Sequence, residues 1–161
     1  MSIVLRALEF LGLSTWLGSD LFLSFVVAPG AFSVLASRDQ AGAIVGYSLT
    51  RMHWMGVICG VFMLFFRLAR ARSFASLAAP AALCVSLMIL LTISSELAVS
   101  PKMAALRVQM GSIQATAADS PLLAEFSRLH RISVGLESAV LIAGFAALYF
   151  FVRESAASSF E

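Results

Sequence analysis

The sequence predicts an all-α integral membrane protein, a four-helix bundle of up-down-up-down topology. Three observations carry this expectation. Of 161 residues, 60% are apolar and only 12% charged, about half the charge that a soluble domain of this length carries. The mean hydropathy is +0.94. "VICGVFMLFF" (57–66) and "AALCVSLMILLTIS" (81–94) lie inside longer segments with few charges, near the ~20 residues a helix needs to cross a bilayer. In lipid the backbone must satisfy its own hydrogen bonds, so a helical bundle is the expected form.

Each element has its signals. The first span covers about 4–28 and ends at "APG". There Pro29 disfavours helix in the residue before it, and Gly30 loosens the chain. Residues 31–43 form a short helix or loop. The second span covers 44–66 and runs out into "RLARAR"; the third covers 79–98. Beyond it the chain stays helix-friendly but is no longer apolar, and Pro101 is tolerated as a kink. Asp119 and Ser120 before Pro121 make an N-cap and first-turn signal. The last helix starts there, with its membrane portion over 128–152. The whole chain, 1–161, is one domain without a repeat.

Several classes fall away. A net charge of +2 is too small to point to nucleic acid. Cys59 and Cys84 lie mid-span and behave as small apolar residues, so they define no redox compartment. Glu9 interrupts the apolar run a cleaved signal would need. Gly-rich phosphate loops, CxxC pairs and HExxH are missing, and an enzyme is the less expected class. Arg67, Arg70 and Arg72 favour a cytoplasmic loop, and with it both termini inside a bacterial inner membrane. Lys102, Arg107, Arg128 and Arg131 argue the other way.

The polar residues within the spans form stripes. Gly42, Gly46, His53, Gly56 and Gly60 share one face of the second helix. The pairs 42/46 and 56/60 are small-xxx-small motifs that let another helix approach, from this chain or from a second copy. Gly12, Trp16, Asp20 and Ser24 repeat every four residues on the first helix. Cys84, Met88, Thr92 and then Ser95 or Glu96 succeed one another on the third. His130, Ser133, Glu137 and Gly144 step along the fourth. In an antiparallel bundle, Asp20, His53, Glu96 and His130 fall in the same membrane half, with Glu137 about two turns deeper. A charge facing lipid at the bilayer centre costs roughly 2.5–3.5 kcal/mol, so these groups are expected to share a shielded pocket. Glu9 is expected to snorkel to the interface, Trp16 to pack, and Trp54 to sit at the interface. Met52 and Met55 flank His53 in sequence but leave its face, so a methionine stripe for copper is weakly supported.

Four stretches carry a resemblance: "TWLGSDLFLSFVVAPGAFSVL", "AGAIVGYSLTRMHWMG", "ELAVSPKMAALR" and "FSRLHRISVGLESAVLIAGF". Together they resemble the family of unknown function typified by transmembrane protein 205. The matching positions are Trp16, Gly18, Phe25, Pro29, Phe32, Gly42, Gly46, Pro101, Phe126, His130 and Ser133, over nearly the whole chain. Glu137 stands where that family carries Asn, which adds a potential charge. The family looks akin to the copper-resistance D membrane domain and to a four-helix bacterial oxidase that binds haem. The resemblance implies a four-helix membrane bundle. No histidine lies in the first helix to support the oxidase kinship.

These residues support three readings of function. In the first, Asp20, His53, Glu96, His130 and Glu137 line an intramembrane pocket. It would bind a divalent metal ion or protons, or aid transport of a small solute; nitrogen and carboxylate donors suit borderline metals. In the second, His53 and His130 are axial ligands of a haem. In the third, the bundle is structural or partner-binding and forms a homodimer through its glycine-rich faces.

Overall fold

In a computed structural model, which describes residues 2–157, the chain is helical almost throughout and places four helices long and apolar enough to cross a membrane. The first span joins α1 (Ser2–Phe22) to α2 (Ala28–Val34) through a π-turn, Leu23–Val27. The second is α3 (Arg38–Ala71). The third joins α4 (Pro80–Ser94) to α5 (Ser100–Met110) through a second π-turn, Ser95–Val99. The fourth is α6 (Pro121–Ala157). The bundle packs α1 on α3 and α4 on α6, and closes through α3 on α4 and α1 on α6.

Both π-turns end just before a proline. Pro29 and Pro101 cannot donate a backbone hydrogen bond, and each ring crowds the carbonyl four residues earlier. The helix widens rather than breaking. The Ala28 N–H reaches the Leu23 carbonyl, and the Ser100 N–H reaches the Ser95 carbonyl, each five residues back. Pro29 therefore does not end the first span as its local preference suggests; the helix runs on to Val34. The ends themselves obey local chemistry. The Ser37 hydroxyl accepts the Gln40 N–H to cap α3. Pro80 and Pro121 occupy the first positions of α4 and α6, where a missing N–H costs nothing. The loop after α5 is tied back to α3: the Asp39 carboxylate accepts from the Ser112 hydroxyl at 2.6 Å and the Ile113 N–H at 2.9 Å.

The core is centred on Trp16, which is fully buried with Leu13, Met63, Val85, Met88 and Ala147. Its indole lies across α3 where Gly56 and Gly60 leave no side chain; a Cβ on either glycine would collide with the ring. The other glycine pair is filled as well. The Arg107 guanidinium occupies the space beside Gly42 and Gly46, donates to the Gly42 carbonyl at 2.8 Å, and lies over the Phe126 ring. The space beside both glycine pairs is thus filled from within the chain, by Trp16 and Arg107.

Large apolar side chains cover the outside, among them Phe22, Phe25, Ile58, Phe62, Leu87, Leu90, Ile142 and Phe145. This is the surface a bilayer requires. Exposed Arg51, Lys102 and Arg131 bound that belt at one end, and exposed Arg72 and Arg153 at the other.

Candidate functional site

The two π-turns flank a buried cluster to which every spanning segment contributes. Asp20 comes from the last turn of α1, His53 from α3, Glu96 from the second π-turn and Glu137 from α6. Asp20 and His53 are almost wholly inaccessible, at 0% and 1% exposure. A π-turn inserts a residue and re-aims the side chains beyond it, and such turns recur at functional sites. Here Ser24 and Glu96 lie within them.

His53 is the centre. Its Nδ1 meets Glu96 Oε2 at 2.7 Å and its Nε2 meets Glu137 Oε2 at 3.0 Å. The two ring nitrogens point in different directions, so the imidazole bridges two carboxyl groups on two other helices. Glu137 in turn lies beside Asp20. The Ser24 hydroxyl donates to Asp20 Oδ1 at 3.4 Å, and the Ser100 hydroxyl donates to Glu96 Oε2 at 3.4 Å. The result is one chain of side chains, Ser24–Asp20–Glu137–His53–Glu96–Ser100, running across the bundle.

Proton counting constrains this chain. A carboxylate only accepts hydrogen bonds, so Asp20 and Glu137 can bond one another only with a proton between them. Each His53–carboxylate bond likewise needs one, supplied either by the ring or by the acid. Three carboxyl groups face one imidazole, and a charge withdrawn from water is tolerated only when paired and hydrogen-bonded. Two acceptor atoms remain buried without a hydrogen-bond partner, Asp20 Oδ2 and Glu137 Oε1. A single proton between these two carboxyl groups would satisfy both atoms.

Its depth is set by the exposed charges. His53 is two residues from Arg51, Glu96 six from Lys102, and Glu137 six from Arg131, about 3 Å and 9 Å along a helix. The cluster lies inside the apolar belt, toward the end away from the termini.

Of the residues proposed from the sequence, Asp20, His53, Glu96 and Glu137 come together. His130 does not: it is exposed, two turns from Glu137 along α6, and takes no part in the cluster. Helical periodicity puts 130 and 137 on one stripe, but only the deeper residue reaches the level of His53. Among the described residues no group of three or more His, Cys, Asp or Glu side chains converges as a metal ion would require.

A second ionic cluster sits at the opposite end of the bundle, where the sequence suggested only an interfacial acid and a topology signal. Glu9 is fully buried and accepts from Arg70 Nε at 2.5 Å and Arg70 Nη2 at 3.2 Å. Arg67 donates from Nη2 to Glu154 at 2.5 Å and from Nε to the Ser76 carbonyl at 2.8 Å. The other Glu154 oxygen accepts the Ala81 N–H at 3.2 Å. Glu9 does not snorkel. Only its position on the Gly12–Trp16–Asp20 side of α1 hinted at this, since pairing between α1 and α3 cannot be read from either segment alone.

The family described as "Domain of unknown function (DUF4149)" matches residues 11–112, more than half of the chain, and the chain belongs to that family. The matched region takes in Asp20, His53 and Glu96 and ends before α6. No curated protein and no solved structure matches the chain.

Proposed function

We propose that this family member is a polytopic membrane protein whose Asp20–His53–Glu96–Glu137 cluster is a proton-exchanging site, serving the movement of a small solute through the bundle. The observation that carries this reading is the His53 imidazole, bonded through both nitrogens to carboxyl groups of two other helices. Ionisable residues inside a membrane mark ion and proton paths by default. The packed layer of Leu13, Trp16 and Met63 beside the cluster closes the bundle toward its other end. Protons then enter and leave from one side in this conformation, the arrangement of a gated carrier.

The same geometry weakens the metal and haem readings. Both nitrogens of His53 are already occupied, and His130 stands outside the pocket, so neither a shared metal ion nor a pair of axial ligands finds its donors assembled. A bacterial inner membrane and cytoplasmic termini fit the basic Arg67–Arg72 stretch. Kinship to the transmembrane protein 205 family rests on four sequence motifs, those around Trp16, Gly46, Pro101 and His130. Both remain part of this proposal.

Purification without chelator, elemental analysis and nitrogen-15 spectra of the histidines test it together. Both His53 nitrogens should be hydrogen-bonded and unchanged on adding zinc, copper or manganese. A stoichiometric metal that disappears in His53→Gln would replace the proton reading with the metal one.

A further inference from the structure

Beneath the His53 cluster lies a layer of polar atoms that the cluster does not use. Among the described residues, Trp16 Nε1, Thr92 Oγ1 and Ser95 Oγ are buried without a hydrogen-bond partner, in residues no more than 2% exposed. We propose that this layer is a binding site for internal water, which carries the proton network on from the carboxyl groups into the bundle. The site stands on these three atoms, while its proton role rests on the function proposed above. The arginine-lined cavity of about 330 Å³ at the other end of the bundle is separate from it.

Two contacts fix the level of these atoms. Gly60 of α3 lies against the Ile89 side chain of α4, and His53 meets Glu96 at 2.7 Å. Numbers fall along α3 as they rise along α4, so Thr92 stands level with Gly56 and Ser95 level with His53. The Trp16 ring presents its Nε1 edge to Gly56, where an added Cβ would collide with that nitrogen first. All three atoms therefore occupy about one turn of the bundle, roughly 5 Å. Serines elsewhere in the spans direct their hydroxyls to their own helix. Ser19, Ser86, Ser94 and Ser138 each donate to the carbonyl four residues back, a common habit of serine in helices. Thr92 and Ser95 do not. An indole N–H only donates, whereas a hydroxyl both donates and accepts. Their common partner must accept from the ring and exchange bonds with two hydroxyls. An indole N–H cannot ligate a cation, and the carboxyl groups of Asp20, Glu96 and Glu137 alongside oppose an anion. A small neutral group remains, and water, which makes about three hydrogen bonds when buried, fits the set.

Magnetic resonance of the Trp16 indole in the full chain, purified in detergent, tests the site. The chain has two tryptophans, so Trp54→Phe leaves Trp16 as the single one. Its nitrogen-15-labelled Nε1–H should receive magnetisation from water although the residue is fully buried. Combining Thr92→Val with Ser95→Ala should abolish that transfer. Each substitution alone should lower the melting temperature by about 2–4 °C, as loss of one hydrogen bond does. A dry layer gives the opposite sign, because an apolar replacement relieves an unsatisfied hydroxyl. No transfer from water to Trp16, or a melting temperature unchanged or raised in both single variants, overturns the proposal. Should the double variant fail to fold, the Trp54→Phe spectrum and the single variants decide. The infrared band of a protonated carboxyl group reports separately on the proton reading. Its absence with the water contact intact removes the proton role and keeps the site.

Discussion

Replacing His53 by glutamine leaves two half-buried carboxyl groups without the ring that joins them. An unsatisfied buried polar group costs about 1–3 kcal/mol, so His53→Gln should lower stability by at least that amount. His130→Gln, at an exposed position, should change it little. Denaturation in sodium dodecyl sulfate measures both, and equal effects would contradict the placement of the cluster. The second ionic cluster makes a parallel case. Glu9→Gln strips a fully buried acid from Arg70, and breaking a buried pair costs about 3–5 kcal/mol. Glu125→Gln breaks only the exposed contact with Arg128, worth about 0–1 kcal/mol. The same denaturation series should separate the two substitutions clearly.

At the scale of the helices, what matters is how closely α1 approaches α3. Trp16 lies where Gly56 and Gly60 offer bare backbone, and Gly56→Ala would drive a methyl group into the indole. Overpacking of this kind costs about 1–3 kcal/mol. Gly18→Ala, with nothing within 4 Å of the added carbon, should be tolerated and by helix propensity favoured by up to about 1 kcal/mol. Thermal unfolding of the two variants checks the contact, and a destabilised Gly18→Ala with a neutral Gly56→Ala would refute it. The π-turns belong to this scale too. Each arises because a proline disrupts the ladder of a helix held by neighbours on both sides, and each sits beside a member of the cluster. Local preference marked Pro29 as an end, but packing against α3 carries the helix past it.

Across the whole molecule, the four spans were readable from hydropathy because lipid imposes both length and composition on a helix. The stripes holding Asp20, His53, Glu96 and Glu137 were readable because helical periodicity groups residues by face. What periodicity cannot supply is the relative height of one helix against another. Heights are set by contacts such as Trp16 on Gly56, which belong to no single segment. His130 was therefore grouped with residues it does not meet, and Glu9, Arg67, Arg70 and Glu154 could not be recognised as partners. The two carboxyl partners of the His53 ring come together only once three helices are in place. The whole is a bundle with a His53–carboxyl cluster toward one end, an arginine-lined cavity at the other, and an apolar layer between. Isotope-edited infrared spectroscopy of the carboxyl groups in bilayers tests the shared proton most directly. A protonated-carboxyl band should be present in the wild type and in Glu125→Gln and be lost in both Asp20→Asn and Glu137→Gln. A wild type without that band, or a band unchanged by both substitutions, would contradict the account.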